Sequence, residues 1–184
     1  MVAKGSHPKD NVLHIRDRFL WSPDITMWSQ LDIVRMNYFT SATCDHDEIE
    51  RLEQTIAGTT FTCIGGQHLG VARLLPHVHK KPNSSRKTKV VDVDLTVAAM
   101  RAALTMPVDG ILIATGDGDY LPLLDEITRS SKQAYLAAFS SGLEPSLKTR
   151  VEQFIDLDQV FFSVSQREQG AGQPVQRGPV AGEA

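Results

Sequence analysis

An apolar run, Ile111-Leu112-Ile113-Ala114, ends at Thr115-Gly116-Asp117-Gly118-Asp119-Tyr120 and passes at once into the helix-patterned residues 121–130. Strand, tight turn and helix in that order constrain this chain more than any other feature. A short continuous run rich in branched residues fits a strand buried on both faces of a parallel sheet. In open α/β sheets, ligands gather in the crevice beyond the carboxyl ends of the strands. Gly116 and Gly118 let the backbone turn there while Asp117 and Asp119 face that crevice. Two carboxylates one residue apart repel unless a cation or a proton lies between them. A hard ion such as Mg2+, which takes a few carboxylate oxygens plus waters, is the usual partner. The structural alternative makes Asp119 the N-cap of the helix, with Tyr120 and Pro122 opening its first turn, and the two roles are compatible.

The rest of the chain extends the alternation. Residues 1–10 are polar, and residues 11–20 read as a short helix with Val12, Ile15 and Phe19 on one face, broken at Trp21-Ser22-Pro23-Asp24. A helical turn within residues 22–30 leads to a first strong strand at 31–40. Asp45-His46-Asp47-Glu48 then supplies the acidic start of a helix carrying Ile49, Leu52 and Ile56 as far as Gly58. A strand at 59–64 closes at Gly65-Gly66, and a long connection to about Thr88 carries His68, His77, His79 and the basic Lys80, Lys81, Arg86 and Lys87, with Lys89 just beyond. Loops of that length are functional or mobile. A helix at 92–104 packs through Leu95, Ala98, Ala99 and Ala102 and feeds the Ile111 strand. A strand at 133–139, a short helix at 145–151 and a strand at 154–157 follow. The expected fold is a three-layer α/β/α sandwich with a mainly parallel sheet, spanning residues 11–163. Residues 164–184 turn to Gln, Gly and Pro without periodicity and read as a disordered tail.

Composition narrows the function classes. With 184 residues, 41% hydrophobic and 22% charged, the chain suits one soluble domain with ragged ends. A net charge of −3 means that any nucleic-acid surface is local. Cys44 and Cys63 form no CxxC pair, which fits free thiols in a reducing cytosol. The sequence has neither the roughly 20-residue apolar span of a membrane helix nor a signal-peptide core, so a cytoplasmic protein without membrane partners is expected. Assembly into a homo-oligomer is left open. His68, His77 and His79 lack cysteine partners and an HxxxH helix, and are not read as zinc ligands.

A second acidic interruption is Lys89-Val90-Val91-Asp92-Val93-Asp94-Leu95. Successive helix residues turn by about 100°, so Asp92 and Asp94 cannot share one site, and Asp92 is the better candidate. From its position alone, Asp92 reads as the N-cap of the helix that follows. Together the two acidic segments resemble the signature of NYN domains, the branch of the PIN-like nuclease superfamily that includes the LabA-like proteins. That signature pairs Lys-x-x-Asp-Val-x-Leu with a strand ending in Ser/Thr-Gly-Asp-x-Asp-Phe/Tyr. The resemblance continues through Pro122-Leu123-Leu124, Ser146-Leu147 and Gln153-Phe154-Ile155-Asp156-Leu157, covering about residues 31–160.

The resemblance implies a PIN-like, Rossmannoid fold and a Mg2+ or Mn2+ dependent ribonuclease in which a carboxylate cluster holds metal and activates water. Asp92 and Asp117 would hold the ion, directly or through water, and Asp119 would be a further ligand or orient a water. Lys80, Lys81, Arg86, Lys87 and Lys89 would hold the RNA backbone, the alternative being a solvated charge run.

Two departures stand out. The family begins with a central strand ending in an Asp of an Asp-x-x-Asn element, and no apolar strand precedes Leu31 here. Ala98 occupies a position where the family often has another acid. We read Met1 as an internal methionine of a longer frame, with residues 11–20 as the helix after that strand. The alternative is a catalytically incomplete NYN-like module that binds RNA or a protein. An Asp-x-Asp phosphatase fits less well, because its motif follows the first strand and precedes Thr, and Gly116-Asp117-Gly118 lacks the third glycine of a dinucleotide fingerprint.

Overall fold

The computed structural model describes residues 6–43, 45–65, 68–81 and 89–164. In chain order the elements are β1 (Ser6–Pro8), β2 (Leu13–Ile15), β3 (Phe19–Trp21), α1 (Asp24–Ser29), β4 (Asn37–Ala42), α2 (His46–Gly58), β5 (Thr60–Gly65), β6 (His68–Arg73) and β7 (Leu75–Lys80). Then come α3 (Lys89–Thr105), β8 (Gly110–Ala114), α4 (Leu121–Arg129), β9 (Gln133–Ala138), β10 (Gln153–Asp156), α5 (Leu157–Phe161) and β11 (Phe162–Val164). The chain is an α/β fold in which the expected parallel pairing occurs in two separate groups, β10-β9-β8 and β4-β7. Three antiparallel pairs, β1 with β11, β2 with β3 and β5 with β6, complete the pairings among the described residues.

Two segments correct the expectations. Residues 11–20 form no helix: β2 and β3 make a hairpin whose turn places Asp17 in the left-handed region at φ 57°. Alternation along β3 buries Phe19 and Trp21 with Leu20 only half-buried between them, while β2 is exposed at all three positions. Within the expected long connection after Gly65, residues 68–73 and 75–80 form β6 and β7, with Leu75 N–H donating to the Met36 carbonyl at 3.0 Å where β7 joins β4, and residues 82–88 lie outside the described residues. Pairing with β7 also sets β4 at Asn37–Ala42, so residues 31–36 of the expected strand lie outside it and its end falls two residues later.

Helix α2 starts where the acids predicted. Asp45 accepts from Glu48 N–H at 2.8 Å, and Leu52 and Ile56 bury one face. Asp45→Ala is expected to cost about 1 kcal/mol, read as a lower midpoint in thermal or urea unfolding. Helix α4 buries Leu123, Leu124 and Ile127 in a cluster with Leu136 and Leu147, which anchors the segment after the acidic turn. Helix α3 packs on both β4 and β8, yet of its expected core face only Ala99 is buried, while Leu95, Ala98 and Ala102 are half-buried. The sheet explains this difference: among the described residues β4 pairs only with β7 and β8 only with β9, so α3 spans two strand groups that share no backbone ladder.

Candidate active site

Strand β8 delivers the acidic turn. Beyond Ala114, Thr115 N–H still donates to the Ala137 carbonyl at 3.0 Å, and Glu144 N–H donates to the Gly116 carbonyl at 2.9 Å. A Cβ on Gly116 would stand 2.9 Å from the Gly142 carbonyl carbon and closer still to its oxygen, so only glycine fits this approach. Residues 115–118 and 142–144 line a cavity of about 500 Å3.

Asp117, rather than Asp119, is the capping residue. Its Oδ1 accepts from Asp119 N–H at 3.0 Å over a 3₁₀ turn, Gly118–Tyr120, and its own N–H donates to Thr115 Oγ1 at 3.2 Å. Asp119 lies exposed in that turn, and α4 starts without a side-chain cap. Asp92 is not an N-cap either, because α3 begins at Lys89 and Asp92 sits within its first turn.

Tyr120 connects these acids. It is buried, and its hydroxyl donates to Asp92 Oδ1 at 2.8 Å across 28 positions of sequence. Burial first, then the bond to Asp92 and the charges of Asp92, Asp117 and Asp119, push the Tyr120 hydroxyl well above its ordinary pKa and keep it protonated. The bond thus ties Asp92 of α3 to the turn that carries Asp117 and Asp119. The sequence motif contains Tyr120 without tying it to Asp92. It also passes over Glu144, which lines the same cavity and whose Oε1 accepts from Ser146 Oγ at 3.0 Å. Tyr120→Phe leaves an exposed Asp92 that water can rehydrate, so the expected loss is about 1 kcal/mol in urea unfolding rather than the larger cost of a buried charge.

Asp94 points elsewhere. Its Oδ2 accepts from His77 Nδ1 at 3.1 Å and from His79 Nε2 at 2.9 Å, both on β7. Burial alone would raise the Asp94 carboxyl, but the donors and charge of His79 and His77 outweigh it and hold the group below its ordinary value. Of the basic residues, Lys80 is exposed at the end of β7 and Lys89 at the start of α3. Lys81 is half-buried, its N–H donating to the Ala42 carbonyl at 2.9 Å, and Arg86 and Lys87 lie outside the described residues.

Comparison with known families decides the affiliation: the NYN domain model matches residues 29–158. The chain belongs to the NYN family. It is therefore a PIN-like nuclease-superfamily domain of a generally RNA-related family. A crystal structure of a protein of unknown function from Vibrio parahaemolyticus resembles this NYN domain at 17% identity and TM-score 0.52, covering 75% of this chain and 80% of that one. This likeness concerns the fold. Comparison with curated proteins returns no match. No helix among the described residues of the NYN domain is long and apolar enough to cross a membrane.

NYN nucleases are typically metal-dependent. Among the described residues no three His, Cys, Asp or Glu side chains form a group able to hold a metal ion by themselves. The acids around Tyr120 nonetheless fit Mg2+ or Mn2+ in kind, being exposed oxygen donors that leave room for waters, and such ions are held by one or two carboxylates plus water and phosphate.

Proposed function

We propose that this NYN domain is a metal-dependent ribonuclease that hydrolyses RNA phosphodiester bonds in the cytoplasm. The observation that carries the reading is the hydrogen bond from the Tyr120 hydroxyl to Asp92, which ties the acid of α3 to the turn after β8 that carries Asp117 and Asp119. Asp92 and Asp117 would hold Mg2+ or Mn2+, and Asp119 would add a ligand oxygen or orient a water. The ion would supply Lewis acidity and lower the pKa of a water. The chain's own residues do the rest. Tyr120 holds Asp92 by donating its hydroxyl hydrogen, and Asp117 is fixed by the turn it caps. Lys80, Lys81 and Lys89, with Arg86 and Lys87 between them in sequence, would hold the RNA backbone without reading sequence.

Cleavage of a labelled single-stranded RNA by the full chain, in a titration of Mg2+ and of Mn2+, tests the reading. Cleavage that needs the ion and stops with EDTA supports it. A second reading, an NYN-like binding module without catalysis, is favoured by the separated strand groups and by the absence of a three-ligand group among the described residues. RNA binding that weakens with salt, without cleavage at any concentration of either ion, selects that reading.

A further inference from the structure

Asp92 and Asp94 leave α3 on different flanks, as two residues about 200° apart on a helix must. One flank is tied to Tyr120 after β8, and the other to His77 and His79 on β7. Those ties join the two parallel strand groups, which share no backbone hydrogen bond with each other among the described residues.

The histidines are held in place in turn. His77 stacks on Phe39 of β4 with ring centroids 4.4 Å apart, and its Nε2 lies 3.3 Å from Asn37 Oδ1. The register sets Phe39 beside His77 and Ser41 beside His79, so both imidazoles stand on one face of the β4-β7 pair, where Asp94 of α3 meets them. Two donors on a single carboxylate oxygen fix a helix more firmly than an apolar contact, because charge-assisted bonds are short and directional.

We propose that His77 and His79 are positioning residues which, by holding Asp94, set where the first turn of α3 presents Asp92 to Asp117. The proposal rests on the nuclease reading above. Asp92 and Asp94 are separated by about 3 Å along a rigid helix axis, so the anchor of one sets the height of the other. A misplacement of about 1 Å at a reacting centre can cost about 100-fold in rate. Neither histidine touches the substrate in this role.

The test uses the full chain with four variants: His77→Ala with His79→Ala, each alanine change singly, and His77→Asn with His79→Gln, which keeps an amide donor at each position. Three quantities are read, namely kcat and KM for RNA cleavage with Mn2+, Mn2+ affinity without RNA by electron paramagnetic resonance, and urea stability. The double alanine variant is expected to lose about 10- to 100-fold in kcat with KM within about twofold, and to bind Mn2+ about 10-fold more weakly. The Asn/Gln variant should recover most of both. If the double alanine variant does not fold, the single variants carry the same expectation at smaller size. Unchanged kcat and Mn2+ affinity in folded alanine variants, or an Asn/Gln variant as defective as alanine, overturns the positioning role alone. Wild-type protein that neither cleaves RNA nor binds Mn2+ overturns the nuclease reading and the positioning role with it.

Discussion

Asp117→Asn is expected to reduce RNA cleavage by about 100-fold or more, the scale seen when a group serving transition-state charge is removed. The substitution is close to a pure removal of charge. Asn keeps an Oδ1 that can accept from Asp119 N–H, so the cap over the 3₁₀ turn survives. Urea stability should therefore change by less than about 0.5 kcal/mol, and initial rates with Mn2+ should carry the whole effect. The same exchange at Asp92 also keeps an acceptor for the Tyr120 hydroxyl. If Asp117→Asn cleaves as fast as the unaltered protein, the carboxylate mechanism is removed.

What the sequence could convey follows from how local each feature is. The turn at Asp117 and the helix after it were legible because an apolar strand, two glycines and an amphipathic run are contiguous, and β8, α4 and β9 form where the pattern put them. The segment around β2 and β3 was not, because Val12, Ile15 and Phe19 satisfy a helical spacing, whereas the alternation that β3 uses covers only Phe19 to Trp21. Only burial of Phe19 and Trp21 separates the two. Strands β6 and β7 carry mixed residues, His68 to Arg73 and Leu75 to Lys80, with no continuous apolar run to announce them.

The histidines suffered from the same limit. Taken as loop residues they suggested only an unsupported zinc site, whereas on β7 their spacing of two puts both on one face toward Asp94. Helical geometry correctly separated Asp94 from Asp92 but could not say what Asp94 would meet. Tyr120 was visible as a motif residue, yet its bond to Asp92 is a tertiary contact that no local pattern encodes. The division of the parallel strands into two groups is likewise a property of pairing rather than of any one segment.

Gly116→Ala is expected to damage both fold and site. The added Cβ would run into the Gly142 carbonyl, which is backbone and not the end of a flexible side chain, so residues 142–144 must move. Overpacking of that kind costs about 2 kcal/mol. In a chain of this length that cost corresponds to about 4–8 °C in Tm. Movement would also break the bond from Glu144 N–H to the Gly116 carbonyl and displace Asp117, the next residue, so cleavage should fall by about 10-fold or more in protein that remains folded. Gly58→Ala provides the contrast, because a Cβ there meets nothing within 4 Å at the end of α2. That variant should be neutral or gain up to about 1 kcal/mol by restricting the unfolded chain. A thermal scan and a rate measurement on the two variants separate a steric cause from a general intolerance of glycine replacement. Equal behaviour of the pair would mean that the close approach of Gly116 to Gly142 does not shape the acidic turn.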